Sequence, residues 1–289
     1  MNSRTQRHYL PLLVLLATTI GCSVTEQRED TVVRNWPAAD IRTLEIDEVD
    51  GSVTIDAAAT DQISLVAHVK VRGEAKAKQG EENKGYFKTS VNGSTLRIAR
   101  RAGRSHWSFF HRDRVAVHYE LKVPPQVALE VRTVNGRIAT RGGDAESDLE
   151  TVNGTIELET SGNSEVYART VNGRVRARFL QNFQGARFKT VNGSVEAELP
   201  ANASFSVDLS QVNGDFEASF PLSIHSNPGS RRVSGEVNGG RHELTIVTVN
   251  GDVELDQAGH APAAPPELPQ APAAPELPKA PAPPSAPTT

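Results

Sequence analysis

The chain has 289 residues, with 31 Lys and Arg against 35 Asp and Glu, a formal charge of −4, and 37% hydrophobic side chains. That is enough apolar material for a folded core, but there is no basic surplus, which argues against nucleic acid as a partner. Cys22 is the single cysteine, so an internal disulfide framework is excluded.

Residues 1–21 carry Arg4, Arg7 and His8, then an apolar run from Tyr9 to Ala17, then small and apolar residues leading to Gly21-Cys22. Charged head, short apolar middle and small residues before a break form the pattern of a secretory signal. The run falls short of the roughly 20 residues a membrane span needs. Thr19-Ile20-Gly21-Cys22 resembles a bacterial lipoprotein box, with Thr19 where Leu is more usual. That resemblance implies acylation of Cys22, which also accounts for a lone thiol in an exported chain. Ser23 stands where an Asp would imply retention at the inner membrane, so the expected location is the cell envelope at the outer membrane. Removing residues 1–21 takes Arg4 and Arg7 away and moves the formal charge from −4 to −6. Residues 22–35 are polar and read as a disordered tether.

From Trp36 to Pro124, runs such as Ile63 to Val71 and Val115 to Val123 alternate apolar and polar residues imperfectly. They predict irregular first coils or a cap over the open end of a core. Lys70 to Lys88 is rich in Lys and Glu and reads as a solvated loop. Between Arg97 and Arg114, the cations Arg100, Arg101, Arg104 and Arg112 surround Trp107, Phe109 and Phe110. Cations interleaved with aromatics suit an anionic glycan or a lipid headgroup surface. The structural alternative is a hairpin tip whose aromatics fold back onto the body. His106, His111 and Asp113 match no established metal spacing, and neither a metal nor a cofactor is expected.

From Glu130 to Asp256 one phrase keeps returning. Val-Asn-Gly occurs with its Asn at 135, 153, 172, 192, 213, 238 and 250, in steps of 18, 19, 20, 21, 25 and 12. Val91-Asn92-Gly93 is an outlying copy and Val49-Asp50-Gly51 a variant. A period near 20 residues marks a stacked-repeat architecture. Four residues before the Asn stand Val131, Leu149, Ala168, Phe188 and Leu209, and three after it Ile138, Ile156, Val175, Val195 and Phe216. The columns between are polar or charged, the period of two expected of strands. Each unit therefore reads as strand, corner, strand. The corners are Asn135-Gly136, Asn153-Gly154, Asn172-Gly173, Asn192-Gly193, Asn213-Gly214 and Asn250-Gly251. Gly enters left-handed backbone conformations without a Cβ clash, and Asn tolerates them.

Asn-Gly also favours antiparallel hairpins. Charge separates the two architectures, because directly opposed like charges destabilise adjacent strands. Self-contained hairpins would pair Glu150 with Glu157 and Arg169 with Arg176, and the charged pairs divide three alike against three opposite. Parallel stacking in chain order lines up Arg141, Glu159, Arg178 and Glu198, and also Glu157, Arg176, Glu196 and Glu217. With Arg187 set beside Asp208, the stack has eight opposite neighbours and three like ones. The prediction is an all-β, single-stranded β-helix, or β-solenoid, of about 18–21 residues per coil, with Thr and Asn residues in ladders. The 25-residue step around Pro221 to Arg232 is expected to loop out, and Val247 to Leu255 to add the final strand pair.

The Thr-Val-Asn-Gly units, the entry from Leu44 through Ile55, and the run Tyr119 to Pro124 resemble the bacterial DUF4097-type "putative adhesin" family. The likeness covers about residues 36–256 and implies a β-helical fold in the envelope, with no family active site to carry over. The expected organisation is a signal peptide over 1–21, a tether over 22–35 and a solenoid over 36–256. The solenoid divides into a less regular part, 36–124, and regular repeats, 125–256.

No nucleophile motif or phosphate loop occurs, and Glu157, Glu159, Glu196 and Glu198 fall in columns beside Arg176 and Arg178, so no catalytic residue is expected. After Asp256 the composition changes, and residues 257–289 form an Ala/Pro-rich disordered tail of polyproline II character. The function expected is a non-catalytic, lipid-anchored binding or scaffold module. Its partners would be the membrane through its lipid, and a cell-wall or surface glycan or another envelope protein. A polysaccharide-acting β-helix enzyme and a self-assembling structural protein are the alternatives.

Overall fold

The Val-Asn-Gly units with Asn at 135, 153, 172, 192, 213 and 250 each give one strand to each of two sheets, because the corner turns the chain from one face of the core to the other, whereas Asn92-Gly93 and Asn238-Gly239 join strands of a single sheet. The computed structural model describes residues 27–72, 86–100, 114–222 and 232–259. The first four units of the array are β8 (Ala128–Asn135) with β9 (Ile138–Gly143), β10 (Ser147–Asn153) with β11 (Ile156–Thr160), β12 (Val166–Arg169) with β13 (Val175–Phe179), and β14 (Ala186–Lys189) with β15 (Val195–Leu199). β8, β10, β12 and β14 lie side by side in one sheet, called here the first, and β9, β11, β13 and β15 in the second. All of these pairings are parallel, and apart from a one-residue shift of Thr160 against Gly143 at the end of β9 and β11 they are in register, so Leu149 sits beside Val131 and Ala168, and Ile156 beside Ile138 and Val175. The inward columns of both sheets merge into one buried core. Fully burying each Val, Leu or Ile there stabilises the fold by roughly 1.5–3 kcal/mol. The chain is a β-solenoid, as the repeat period predicts.

Chain order and spatial order then part. The fifth unit is β16 (Phe205–Asn213) with β17 (Phe216–Ala218), followed by β18 (Arg232–Val237) and the last unit, β19 (His242–Asn250) with β20 (Val253–Gln257). In the first sheet β19 lies between β14 and β16, and in the second β20 lies between β15 and β17. The last coil of the sequence is therefore inserted next to the last in space. β18 turns back antiparallel along β16, pairing Leu209 with Val233, so the expected loop-out contains a strand. Phe179, Phe183, Phe205 and Phe220 close this end in an edge-to-face series with centroids 5.0–5.6 Å apart. The exposed edges that remain are a three-residue strand and a strand carrying Arg232 and Glu236, short or charged as protected edges are.

At the other end, β2 (Thr43–Asp47) and β3 (Val53–Ala57) form a regular coil under β8 and β9, with Asp50-Gly51 as its corner. Beyond it the sheets diverge. β3 pairs with β7 (Arg114–Val123), which runs antiparallel to β4 (Gln62–Arg72), itself antiparallel to β1 (Gln27–Pro37). On the other side β2 pairs with β6 (Thr95–Arg100), which forms a hairpin with β5 (Phe87–Asn92). The outlying Asn92-Gly93 is the tip of that hairpin, with Gly93 at φ +57°.

Two expectations need correction here. Residues 27–35 are not a disordered tether but belong to β1, whose period of two sets Val32 and Trp36 against the core. The polar residues between them mask that period. The corner Asn residues do not adopt left-handed backbone, since Asn238, outside the ladder, is the one non-glycine with positive φ among the described residues. Cys22, Arg101, Arg104, Trp107, Phe109, Phe110, Arg112 and the tail from 260 lie outside the described residues.

Candidate functional site

The repeated corner is built by two hydrogen-bonded columns and a glycine that close packing requires throughout and that positive φ also requires at Gly173, Gly193, Gly214 and Gly251. Thr133, Thr151, Thr170, Thr190 and Thr248 are buried, and each hydroxyl donates to a glycine carbonyl of the coil below, Thr170 to Gly154 at 3.2 Å. In the outermost coil Gln211 takes that place, its Nε2 donating to the Gly251 carbonyl at 2.9 Å. The Asn side chains form a one-way ladder. Asn213 donates to Asn250, Asn250 to Asn192, Asn192 to Asn172, Asn172 to Asn153, Asn153 to Asn135, and Asn135 to the Asp50 carboxylate, at 2.7–2.9 Å. A carboxylate at the acceptor end suits a row of aligned amide dipoles. The corners approach so closely that a Cβ on Gly173 would lie 1.9 Å from the Gly154 carbonyl oxygen, and one on Gly193 1.8 Å from that of Gly173. Beside the ladder the repeat's Val residues point out, Val134, Val171, Val191, Val212 and Val249 being 37–48% exposed. The corner motif is therefore a rigid edge that holds the coils in register, with its amides already engaged.

The outer faces carry the charges. On the second sheet Arg141, Glu159, Arg178 and Glu198 stand in one column, and Glu157, Arg176 and Glu196 in the next. Arg178 reaches Glu198 at 2.7 Å and Glu159 at 3.9 Å; Arg176 reaches Glu196 at 2.7 Å; Arg137 pairs with Glu157. On the first sheet Arg169 holds Glu150 at 2.6 Å, and Arg132 lies between Asp148 and Glu150. The hydrogen bonds that Arg169 and Arg176 donate to their carboxylate partners raise the guanidinium pKa values further. Carboxylates bound in this way are poorly placed to serve as a general acid and base.

The inserted coil breaks this pattern on both faces at one level. Chain-order stacking would set Arg187 beside Asp208, but Arg187 and Lys189 instead meet Thr245 and Val247. Among the described residues neither cation has a carboxylate within ion-pair distance. Arg187 lies over the Tyr167 ring at 5.8 Å from its centroid, and the Tyr167 hydroxyl donates to Glu165, which together with burial raises its pKa. On the second sheet the expected contact of Glu196 with Glu217 is replaced by Glu196, Glu254 and Glu217 in one column, with Glu198 and Asp256 adjacent. Partial burial, then Asp256, Glu196 and Glu217, push the Glu254 pKa up.

Arg100, expected at an anion-binding surface, is instead tied into the N-terminal end. Its guanidinium donates to Glu48 at 2.9 Å and to the Val115 carbonyl at 2.9 Å. The buried Glu48 carboxylate also accepts from the Tyr119 hydroxyl at 2.7 Å and from the Val49 amide at 2.9 Å. Burial and the Glu48 charge hold the Tyr119 phenol well above its ordinary pKa. Breaking such a buried pair costs about 3–5 kcal/mol, so the knot fixes the junction between the first regular coil and the antiparallel end. Nearby, His118 accepts or donates at Ser52 Oγ, 2.8 Å away, and burial, then Lys70 and His68, lower its pKa. Sequence reasoning missed Glu48 and Tyr167. The first stands in an apolar-to-corner transition, and the second is an aromatic in a column otherwise charged. Among the described residues no group of three His, Cys, Asp or Glu is placed to hold a metal.

Residues 126–256 match the family model described as Toastrack DUF4097. No curated protein matches the chain. Among solved structures, a "putative cell adhesion protein" from Clostridium sporogenes is 11% identical, with 80% of this chain and 100% of that one covered and a TM-score of 0.41. A "putative adhesin" from Bacteroides fragilis is 8% identical, covering 78% and 97%, with a TM-score of 0.27. A "putative lipid binding protein" from Parabacteroides distasonis is 8% identical, covering 78% and 96%, with a TM-score of 0.32.

Proposed function

From the premise that residues 126–256 are a Toastrack DUF4097 repeat array, we propose that the protein is a non-catalytic binding or scaffold module. It is held in the cell envelope by a lipid on Cys22 and presents the flat outer faces of its solenoid. The observation that carries the binding role is the locked ladder. Asn side chains, Thr hydroxyls and most outward charges are joined coil to coil, giving two rigid, extended faces that need no reorganisation on contact. Anchoring rests on the charged, apolar and small segments that precede Cys22. No helix among the described residues is long and apolar enough to cross a membrane.

Cell fractionation of the full chain and of Cys22→Ser tests the anchor. The wild type is expected in the membrane pellet and the variant in the soluble envelope fraction; identical partitioning would remove the lipid from the proposal. Incubating the soluble variant with cell-wall and surface glycans tests the rest. Capture of the protein with the glycan chain length unchanged fits a binder, whereas release of new reducing ends would replace that reading with an enzyme.

A further inference from the structure

The strongest unassigned feature is the break in charge matching on the first sheet, where Tyr167 and Arg169 of β12 stand beside Arg187 and Lys189 of β14. Within the parallel stack, Arg132, Arg137, Arg141, Arg169, Arg174, Arg176 and Arg178 all have carboxylates within 4.0 Å, but Arg187 and Lys189 have none among the described residues. Neither cation is held in an ion pair, and Arg187 rests instead over the Tyr167 ring. For Arg187 the vacancy follows from topology, because Thr245 occupies the strand position that would otherwise carry Asp208; Lys189 meets Val247 where it would otherwise meet Ser210, and neither residue is an anion. Tyr167 adds an aromatic face whose ring is set by Glu165 at its hydroxyl and by Arg187 across the strand.

We propose that this four-residue strip binds an acidic polysaccharide, with its carboxylates or sulfates on Arg187 and Lys189 and the apolar face of a sugar ring on Tyr167. The inference rests on the binding-module reading and names its ligand class and place. Neighbouring charges set the ligand's direction. Along the stack axis the strip is flanked by Asp148 and Glu150 on one side and by uncharged Thr245 and Val247, then Asp208, on the other. A polyanion lying along the axis would meet those carboxylates. One crossing the sheet along the strands instead starts at Tyr167 and Arg187, with Glu165 and Glu243 behind it, and passes to Arg169 and Lys189, then onto the exposed Val171 and Val191. Adjacent strands lie about 4.8 Å apart and alternate residues about 7 Å apart, so the strip spans one to two sugar rings. The strands carrying it are paired on both sides, which leaves no backbone edge for a peptide to extend. An aromatic platform with flanking cations suits a sugar ring bearing anions.

The test uses the full chain, with polygalacturonate and heparin as acidic probes and dextran as the neutral one, measured by calorimetry at low and physiological salt. The wild type is expected to bind the acidic probes and not dextran, and to weaken as salt rises. Arg187→Glu/Lys189→Glu should lose about ten-fold or more in affinity, and Tyr167→Ala several-fold, while Tyr167→Phe retains most of it. Arg42→Glu/Lys122→Glu makes the same change of net charge at exposed sites elsewhere and should lose less than about two-fold. Equal losses in the two double variants would mean unspecific attraction and overturn the strip. Arg187→Ser/Lys189→Ser decides the matter if the reversed-charge variant does not fold.

A wild type that binds neither acidic glycan overturns this inference but leaves the binding-module reading to its own capture assay. Strip-dependent binding to vesicles of anionic lipid without glycan binding makes a lipid the occupant and also overturns it. Concentration-dependent association in sedimentation that Glu254→Lys abolishes would make a second copy's acidic face the occupant, with the same consequence.

Discussion

The coils from β8 to β15 and the coils from β16 to β20 are made of the same repeat, yet only the first group stacks in the order of the chain. Where sequence neighbours are spatial neighbours, most outward charges meet opposite charges, as in Arg141, Glu159, Arg178 and Glu198, with Glu130 beside Asp148 and Arg169 beside Lys189 as exceptions. Where the last coil slips in beside the fourth, the charges meet the wrong partners. Glu196, Glu254 and Glu217 stack together, and Arg187 meets a threonine. The corner does not register this exchange, because every coil presents the same Val-Asn-Gly and the ladder passes through Asn192, Asn250 and Asn213 without a break. Identical corners hold coils together but do not say which coil comes next. The variable columns carry that information and, at the exchange, the unneutralised charge.

The largest effect should come from the corner glycines. In Gly173→Ala the new Cβ would sit 1.9 Å from a backbone oxygen of the coil below, and in Gly251→Ala 2.0 Å from one. Neither coil can move without parting the stack on both sides, so each substitution should cost about 3 kcal/mol or more in chemical denaturation. Gly214→Ala strains the outermost coil, which can shift outward, and should cost less. Gly93→Ala, at a hairpin tip with nothing within 4 Å but φ at +57°, should cost about 1–2 kcal/mol. If Gly251→Ala were no worse than Gly93→Ala, the last coil would not be the inserted one.

A sharper probe of the exchange is pairwise coupling along the Asn ladder. Chain-order stacking makes Asn192 and Asn213 neighbours, whereas here Asn250 bonds to both. Double-mutant cycles to Ala should give roughly 0.5–1 kcal/mol of coupling for Asn192 with Asn250 and for Asn250 with Asn213, and none for Asn192 with Asn213. Coupling in the last pair, with silence in the other two, would restore the order of the sequence.

That boundary also marks what could be read from the residues alone. The period, the inward columns from Val131 to Phe188 and the charge match of Glu159 with Arg178 are local properties of adjacent repeats, and they carry the solenoid and its register. The insertion of β19 and β20 was hidden, since Asn250 in the corner phrase is indistinguishable from Asn213. The strand character of Gln27–Pro37 was hidden by polar residues facing solvent at an edge. The corner glycines were recognised for one of the two reasons that hold, the positive φ found at Gly173, Gly193, Gly214 and Gly251, while the close approach of a neighbouring backbone leaves no trace in one repeat read alone. The surface strip lies at a level of the stack that only coil order creates. Arg187 is unremarkable until β19 takes the place of β16 and sets Thr245 where Asp208 would have stood.

The smallest effect concerns the acidic column. Partial burial, then Asp256, then Glu196 on one side and Glu217 on the other make the Glu254 carboxyl hold a proton more firmly in the folded protein than the ordinary value of 4.5 implies. The folded chain therefore binds more protons than the unfolded one between 4.5 and that raised value, and stability falls as pH rises through this window. Glu254→Gln should stabilise the protein at neutral pH by a few tenths of a kcal/mol, since like charges on adjacent strands are unfavourable and exposed ones are screened. The difference should close as the pH drops below the carboxylate range. Glu150→Gln makes the opposite case on the first sheet, where the carboxylate lies between Arg132 and Arg169 and Arg169 holds it at 2.6 Å, and should destabilise by a similar amount at neutral pH. If thermal melts at neutral pH shifted in the same direction for both variants, the contrast between matched and mismatched columns would fail, and the order of coils would cease to explain where the surface charge is left over.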